Sequence, residues 1–186
     1  METCLRLLTA APRTRAQLDQ ALSRRQVPQQ AADAVLDRLA RAGLINDTMF
    51  ARAWVESRHH SRGLARRALT AELRQRGVGD DDVQDAIAEL TPEQEEAAAR
   101  RLVMAKLPTT RGRPLDTRVR RLMGLLARKG YPPGMAYRVV RDALEQEKND
   151  TGDTGMDIAA IIDSQAVPDE EPPTDEESLR EVIDGP

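Results

Sequence analysis

The apolar positions of this 186-residue chain recur in three copies, about fifty residues apart. Within each copy the apolar residues are spaced three or four apart, which is typical of the buried face of a helix. A repeat of this period predicts an all-α fold, an elongated array of stacked three-helix units. The successive copies are Leu18, Leu22, Val27, Leu36 and Leu39; Leu69, Leu73, Val78, Ile87 and Leu90; and Leu122, Leu126, Tyr131 and Val140.

Turn and capping signals divide the pattern into nine predicted helices. The segments Thr14–Gln17 and Thr91–Gln94 have the form of capping boxes, and Asp47 is expected to cap a further helix. Because each three-helix unit is small, we expect stacking between units to supply much of the stability. The predicted divisions are a first repeat over residues 1–45, whose leading helix is either short or clipped at its N-terminus, a second over 46–91, a third over 92–147 and an acidic disordered tail over 148–186.

The net charge of −3 conceals an uneven distribution along the chain. Up to Glu147 there are 26 basic and 19 acidic residues, and from Lys148 onward there are 2 basic and 12 acidic residues. A basic body predicts a polyanionic or acidic partner, and we expect the acidic tail to compete with that partner. The alternative is that the charges only keep a helical array in solution. The single cysteine and the lack of a long apolar run predict a cytoplasmic protein without a membrane span.

The residues that usually carry catalysis are sparse in this chain. His59 and His60 are adjacent, so on a helix they point about 100° apart and cannot bind one metal ion together. Cys4 has no histidine near it in sequence, and the run Asp80–Asp82 suits a helix N-terminus. We therefore predict that the protein is not an enzyme and uses no metal or cofactor.

Basic residues concentrate in the second and third repeats, where they could bind an anionic partner through phosphate-type contacts. Phe50 and Trp54 are interpreted as core residues rather than as a stacking platform for bases. The short turns also fit a helix-turn-helix reader, although such turns are common in plain helical repeats. The candidate contact residues are Arg58, Arg62, Arg66, Arg67, Arg74, Arg76, Arg118, Arg120, Arg121, Arg128 and Lys129.

The segment from Leu39 to Arg58, the pair Arg62–Gly63 and the segments Ala71–Val78 and Leu122–Tyr131 together resemble the RecX family. The resemblance covers most of residues 3–145 and includes all three repeats in order. The family signature falls on Gly43, Leu44, Asp47, Phe50, Ala51, Trp54, Arg58, Gly63, Glu72, Leu73, Gly77, Arg121, Leu122, Leu126, Gly130 and Tyr131. Most of these positions are interpreted as structural, with Gly43, Gly77 and Gly130 ending helices. The clipped first helix and the long acidic tail depart from the family pattern.

The resemblance implies a non-enzymatic modulator of the RecA recombinase, mainly an inhibitor, that acts in DNA repair, homologous recombination and the SOS response. It implies a monomer that lies along the RecA–DNA filament and affects ATP turnover, strand exchange and coprotease activity. Weak binding to single- or double-stranded DNA is a further expectation. Two alternatives from other classes are a DNA-binding module that acts without RecA and a helical scaffold for another acidic protein.

Overall fold

The computed structural model describes residues 1–151, which form nine α-helices and one short 3-10 helix, with no strand in that range. The repeated all-α fold predicted from the spacing of apolar residues is confirmed. The α-helices are α1 (Glu2–Ala10), α2 (Arg15–Ser23), α3 (Gln29–Arg41), α4 (Asp47–Arg62), α5 (Arg66–Gln75), α6 (Asp80–Ala88), α7 (Pro92–Lys106), α8 (Leu115–Arg128) and α9 (Pro133–Thr151), and the 3-10 helix is Leu107–Thr110.

Three hydrophobic clusters form the core, one for each successive group of three helices. The helix pairs with the most extensive packing all lie within a group, such as α4 with α6 and α7 with α9. Ala65 of the second group is also a member of the third cluster. Each group therefore buries apolar side chains in a cluster of its own, and Ala65 connects the second group to the third cluster. The fully buried leucines of the clusters are Leu18, Leu36, Leu69, Leu73, Leu122 and Leu126.

Local capping explains where several helices begin. The Thr14 hydroxyl accepts a hydrogen bond from the Gln17 N–H at 3.1 Å, and the Gln17 side chain accepts one from the Thr14 N–H at 3.3 Å. The prediction for Asp47 is wrong, because Asn46 caps α4 by accepting from the Met49 N–H at 2.8 Å. The Asp47 carboxylate instead accepts from the Arg15 N–H at 2.9 Å, in the preceding group.

Two glycines allow the middle helices of adjacent groups to come into contact. Gly77 has a φ of 73°, and a Cβ at this position would lie 2.3 Å from the Ala16 Cβ. Gly130 has a φ of 86°, and its Cβ would lie 2.7 Å from the Ala68 backbone nitrogen. Glycine is therefore required at both positions, both for the left-handed conformation and for the close approach. These residues end helices, as predicted, and they also form the junctions between groups.

Polar contacts repeat at the two junctions. At the first, the Thr14 hydroxyl donates to the Arg76 carbonyl at 2.6 Å. At the second, the Ala65 N–H donates to the Lys129 carbonyl at 2.9 Å. In the second and third groups, the first helix also supplies a carboxylate that accepts a hydrogen bond from the start of the middle helix in the group before it. Asp47 does so at the first junction, and Glu95 at the second by accepting from the Arg66 N–H at 2.9 Å.

The C-terminal helix α9 extends to Thr151, so the predicted start of the tail at Lys148 is wrong for the first four residues. Glu147 lies near the end of this helix and forms ion pairs with Arg111, at 2.7 Å, and with Arg118. The helix continues because these arginines hold its last turns against α8 and the loop before it. The remainder of the predicted acidic tail, residues 152–186, lies outside the described residues.

Candidate partner-binding surface

Several of the arginines predicted to contact a partner have partners within the molecule. Arg66 lies 3.4 Å from the Glu95 carboxylate and donates to the Leu90 carbonyl, so it belongs to the second junction. Arg118 is largely buried, pairs with Glu147 and donates to the Thr110 hydroxyl at 3.2 Å. Arg74 forms an exposed ion pair with Asp80 at 2.9 Å, and Arg120 one with Asp116 at 3.6 Å. Arg66 and Arg118 therefore stabilise the fold.

A cluster of cations surrounds Trp54, the single tryptophan of the chain. The Arg58 guanidinium carbon lies 4.1 Å from the Trp54 ring centroid, and that of Arg76 lies 3.8 Å away. Phe50 stacks on the same ring, with a centroid separation of 5.6 Å. The indole N–H donates to the Glu72 carboxylate at 2.8 Å, which fixes the orientation of the ring.

The interpretation of Phe50 and Trp54 as core residues is therefore only partly right. Both side chains are half-buried and pack against the second hydrophobic cluster. Trp54 also contacts two charged groups, because α4 and α5 place Arg58 and Arg76 beside it. The spacing of aromatic residues along α4 predicted their contact with the core, but the position of Arg76 depends on how α5 packs.

The Trp54 cluster is the centre of a basic stripe, defined here as Arg13, Arg76, Arg58, Arg62 and Lys129. At one end is Arg13, the residue before Thr14, whose hydroxyl donates to the Arg76 carbonyl. Burial lowers the pKa of Arg76, and the positive charge of Arg13 contributes to the lowering. Arg62 lies one helical turn beyond Arg58. At the other end, the Lys129 ammonium donates to the Arg62 carbonyl at 2.8 Å. The stripe therefore extends from the start of α2 to the end of α8 and crosses both junctions.

Arg13 is not among the residues predicted from the sequence to contact a partner, although the repeat itself contains a signal for the stripe. A basic residue ends the middle helix of every copy, namely Arg25, Arg76 and Lys129. The two of these that lie at junctions belong to the stripe. A basic residue that recurs at the same position of each repeat therefore indicates a charged surface that spans the repeats. The number of arginines in a repeat does not indicate such a surface.

Four of the predicted contact residues are exposed on α4, α5 and α8. Among the described residues, Arg62, Arg67, Arg121 and Arg128 form no side-chain hydrogen bond or ion pair. Their guanidinium groups are available to a partner at little cost, because no internal contact has to be broken.

A groove away from the stripe lies between α4 and α7. It has a volume of about 470 Å³, and its lining includes His59, His60, Glu56 and Arg101. The His59 ring contacts the Leu64 carbonyl through Nδ1 at 2.9 Å. Within residues 1–151 no group of three or more potential ligands could hold a metal ion. The groove has mixed charge and shows no arrangement of catalytic side chains in the described part of the chain.

The fold and this surface define a class: an all-α tandem-repeat protein with a basic stripe that continues from one repeat to the next. The model of the first three-helix domain of RecX matches residues 1–39, and that of the second three-helix domain matches residues 46–87. The chain is 62% identical to the regulatory protein RecX of Thermobifida fusca over 144 residues, which cover 77% of this chain and 78% of the relative. It is 59% identical to that of Streptomyces coelicolor over 156 residues, covering 82% and 83%. The chain belongs to the RecX family of regulatory proteins.

Solved structures support the same fold. A crystal structure of regulatory protein RecX superposes with a TM-score of 0.69 at 24% identity, covering 76% of this chain and 70% of the other. RecX from Lactobacillus salivarius gives the same TM-score at 16% identity, covering 76% and 92%. In the described residues, no helix combines the length and the apolar character needed to span a membrane.

Proposed function

We propose that this protein regulates the RecA recombinase, mainly as an inhibitor, by lying along the RecA–DNA filament with its basic stripe facing the DNA phosphates. Membership of the RecX family supports the class of partner. The observation that supports the orientation is the stripe, because its cations lie on both sides of each junction. In this proposal the protein acts as a cytoplasmic monomer with three repeat units.

The chemistry of the stripe suits a long, uniformly charged partner. Contacts between arginine and phosphate give affinity without sequence specificity, as a regulator of a filament on any DNA requires. A repeat array can place several weak contacts along one filament, so binding at one repeat raises the effective concentration of the next. A protein seated in this way hinders filament growth, and it thereby lowers ATP turnover, strand exchange and coprotease activity.

Besides the stripe, which includes the exposed Arg62, we assign the exposed residues Arg67, Arg121 and Arg128 to partner contact. Arg66 and Arg118 are excluded from this assignment because their side chains are engaged in ion pairs with Glu95 and Glu147. Reversing the charge of either one would disturb the fold as well as any interface. Variants for a functional test therefore have to be chosen from the exposed set.

The test is single-stranded-DNA-dependent ATP hydrolysis by the cognate RecA, with increasing amounts of this protein. We expect hydrolysis to fall as the protein is added, and the double variant Arg62→Glu/Arg128→Glu to require a several-fold higher concentration. The matched control is Arg38→Glu/Arg101→Glu, which changes the net charge equally at exposed residues outside the stripe. If an excess of the wild-type protein leaves hydrolysis unchanged, the proposed regulation of RecA is wrong.

The same variants test whether the Lys129 end of the stripe faces the filament, because Arg62 belongs to the stripe and Arg128 is the neighbour of Lys129 in sequence. If both double variants inhibit equally well, this end of the stripe does not face the partner. Binding to bare DNA that persists while RecA activity is unaffected would favour a DNA-binding module that acts without the recombinase. Circular dichroism of each variant establishes that its helical content is intact.

A further inference from the structure

The centre of the basic stripe carries more positive charge than its own carboxylate can neutralise. Arg58 and Arg76 both lie within 4.1 Å of the Trp54 ring centroid, and Arg13 is close enough to contribute to lowering the pKa of Arg76. Glu72 is the carboxylate at this cluster. It accepts the indole N–H at 2.8 Å and lies 3.9 Å from the Arg58 Nε. Arg58 and Arg76 therefore share one carboxylate that is already hydrogen-bonded, and Arg13 adds a third positive charge that acts on Arg76.

Two observations indicate that the positive charge of this cluster is only partly compensated. The Arg13 Nε is buried and has no hydrogen-bond partner among the described residues. Burial lowers the pKa of Arg76 by partly removing the group from water, the Glu72 charge opposes this effect, and the charges of Arg58 and Arg13 lower the pKa further. A buried N–H without an acceptor is costly, and so is a concentration of like charges. An anion placed among the three groups would relieve both costs.

We propose that Arg13, Arg58 and Arg76, held by Trp54, form a binding site for a phosphate group of the DNA backbone at the junction between the first and second groups. This site deepens the proposed function by naming one point at which the stripe contacts DNA. A guanidinium that rests on an aromatic ring keeps its N–H donors at its edge, where two of them can bind one phosphate together. Trp54 acts as a positioning residue, because its faces contact side chains of the protein rather than a base.

The choice of DNA phosphate over protein carboxylate follows from the spacing of charge along the partner, because a carboxylate and a phosphodiester each offer two charge-bearing oxygens to the guanidinium N–H groups. A phosphodiester offers two charge-bearing oxygens and belongs to a chain of such groups, so it can bind here while its neighbours contact Arg62 and Lys129. An acidic protein segment lacks this regular spacing of charge.

The single tryptophan gives a direct readout of the site. We expect a saturable change in Trp54 fluorescence on titration with a single-stranded oligo(dT), with weaker binding as the salt concentration rises. A poly-glutamate peptide of matched length and charge is the comparison for acidic proteins, and inorganic phosphate is the comparison for a free anion. If poly-glutamate changes the fluorescence at the same concentrations as oligo(dT), the assignment to DNA phosphate is overturned.

Substitutions separate the binding residues from the positioning residue. Arg76→Gln should weaken binding of labelled oligo(dT), measured by anisotropy, by about tenfold and reduce the salt slope by about one. Trp54→Leu should weaken binding several-fold but leave the slope unchanged, because no charge is lost. Arg38→Gln, an exposed arginine on α3, is the matched control and should bind as wild type.

The site fails if Arg76→Gln and Arg38→Gln bind oligo(dT) equally while both retain wild-type helicity. The proposed regulation of RecA can fail separately, because these measurements contain no recombinase. Binding that depends on Arg76, together with unchanged RecA activity, would retain the site and remove the regulation. Arg13→Gln provides a second variant, since Arg13 forms no hydrogen bond through its Nε that the fold requires.

Discussion

Replacing Gly77 with alanine tests whether the junction between the first and second groups requires glycine. The new Cβ would lie 2.3 Å from the Ala16 Cβ, whereas carbon atoms normally approach to about 3.5–4.0 Å. The middle helices would therefore have to separate by more than 1 Å, and forced overpacking of this kind costs about 1–3 kcal/mol. The left-handed φ of 73° adds a cost of about 1–2 kcal/mol for a residue with a Cβ. The expected loss in free energy of unfolding is about 2–5 kcal/mol.

The matched control is Gly43→Ala. Gly43 has nearly the same φ, 71°, but a Cβ there would meet no atom within 4 Å. This control should therefore lose only the conformational cost of about 1–2 kcal/mol. The difference between the two variants measures the contact at the junction, since the strain from the backbone angle is common to both.

A compensating substitution adds a further check. In the double variant Gly77→Ala/Ala16→Gly the Cβ of residue 16 is absent, and the next atom, the backbone Cα, is 3.8 Å away. Stability should return to within about 1 kcal/mol of the Gly43→Ala level, because glycine in a helix costs about that amount. The assay is urea unfolding followed by far-ultraviolet circular dichroism. Equal losses for Gly77→Ala and Gly43→Ala, or no recovery in the double variant, would refute the reasoning.

Three further predictions concern other contacts. Tyr131→Phe should lower the free energy of unfolding in urea by about 1 kcal/mol, since the buried hydroxyl donates to the Gly63 carbonyl at 3.0 Å; burial raises the pKa of Tyr131 to about 12, so its hydroxyl remains a donor at neutral pH. Gln26→Gly should raise that free energy by about 0.5–1 kcal/mol, because Gln26 has a φ of 58°. Burial raises the pKa of Glu147, but hydrogen bonds and charges from Arg111 and Arg118 outweigh it and lower the pKa below its ordinary 4.5. The stabilisation that ionised Glu147 gives the folded protein is therefore present above pH 4.5 and is lost as the pH falls through the pKa of the folded state. Glu147→Gln should therefore flatten the loss of stability between about pH 6 and about pH 3 in thermal unfolding.

The sequence was sufficient for features that depend on neighbours within one helix. The Thr91–Gln94 capping box is present, with the Thr91 N–H bonded to the Gln94 side chain at 2.9 Å. The aspartates at the start of α6 lie in its first turn, as their charge predicted. These signals act over three or four residues, so the order of residues alone defines them.

Features that depend on distant segments could not be predicted in the same way. Asp47 has the local character of a cap, but its carboxylate binds a backbone group 32 residues earlier, and Asn46 takes the capping role. Arg66 was indistinguishable in sequence from Arg67, yet the former is paired with Glu95 and the latter is exposed. Which arginine meets a carboxylate is decided by the packing of α7 on α5, and that packing leaves no periodic signal in the sequence.

The junctions and the basic stripe use the same residues, which links the fold to the surface it presents. The Arg76 carbonyl accepts from Thr14 at the first junction, while its guanidinium rests on Trp54. The Lys129 carbonyl accepts from Ala65 at the second junction, while its ammonium reaches the Arg62 carbonyl. In each case the backbone sets the distance between groups and the side chain carries the charge. The spacing of cations along the stripe is therefore set by the junctions, and it suits a partner with regularly spaced anions.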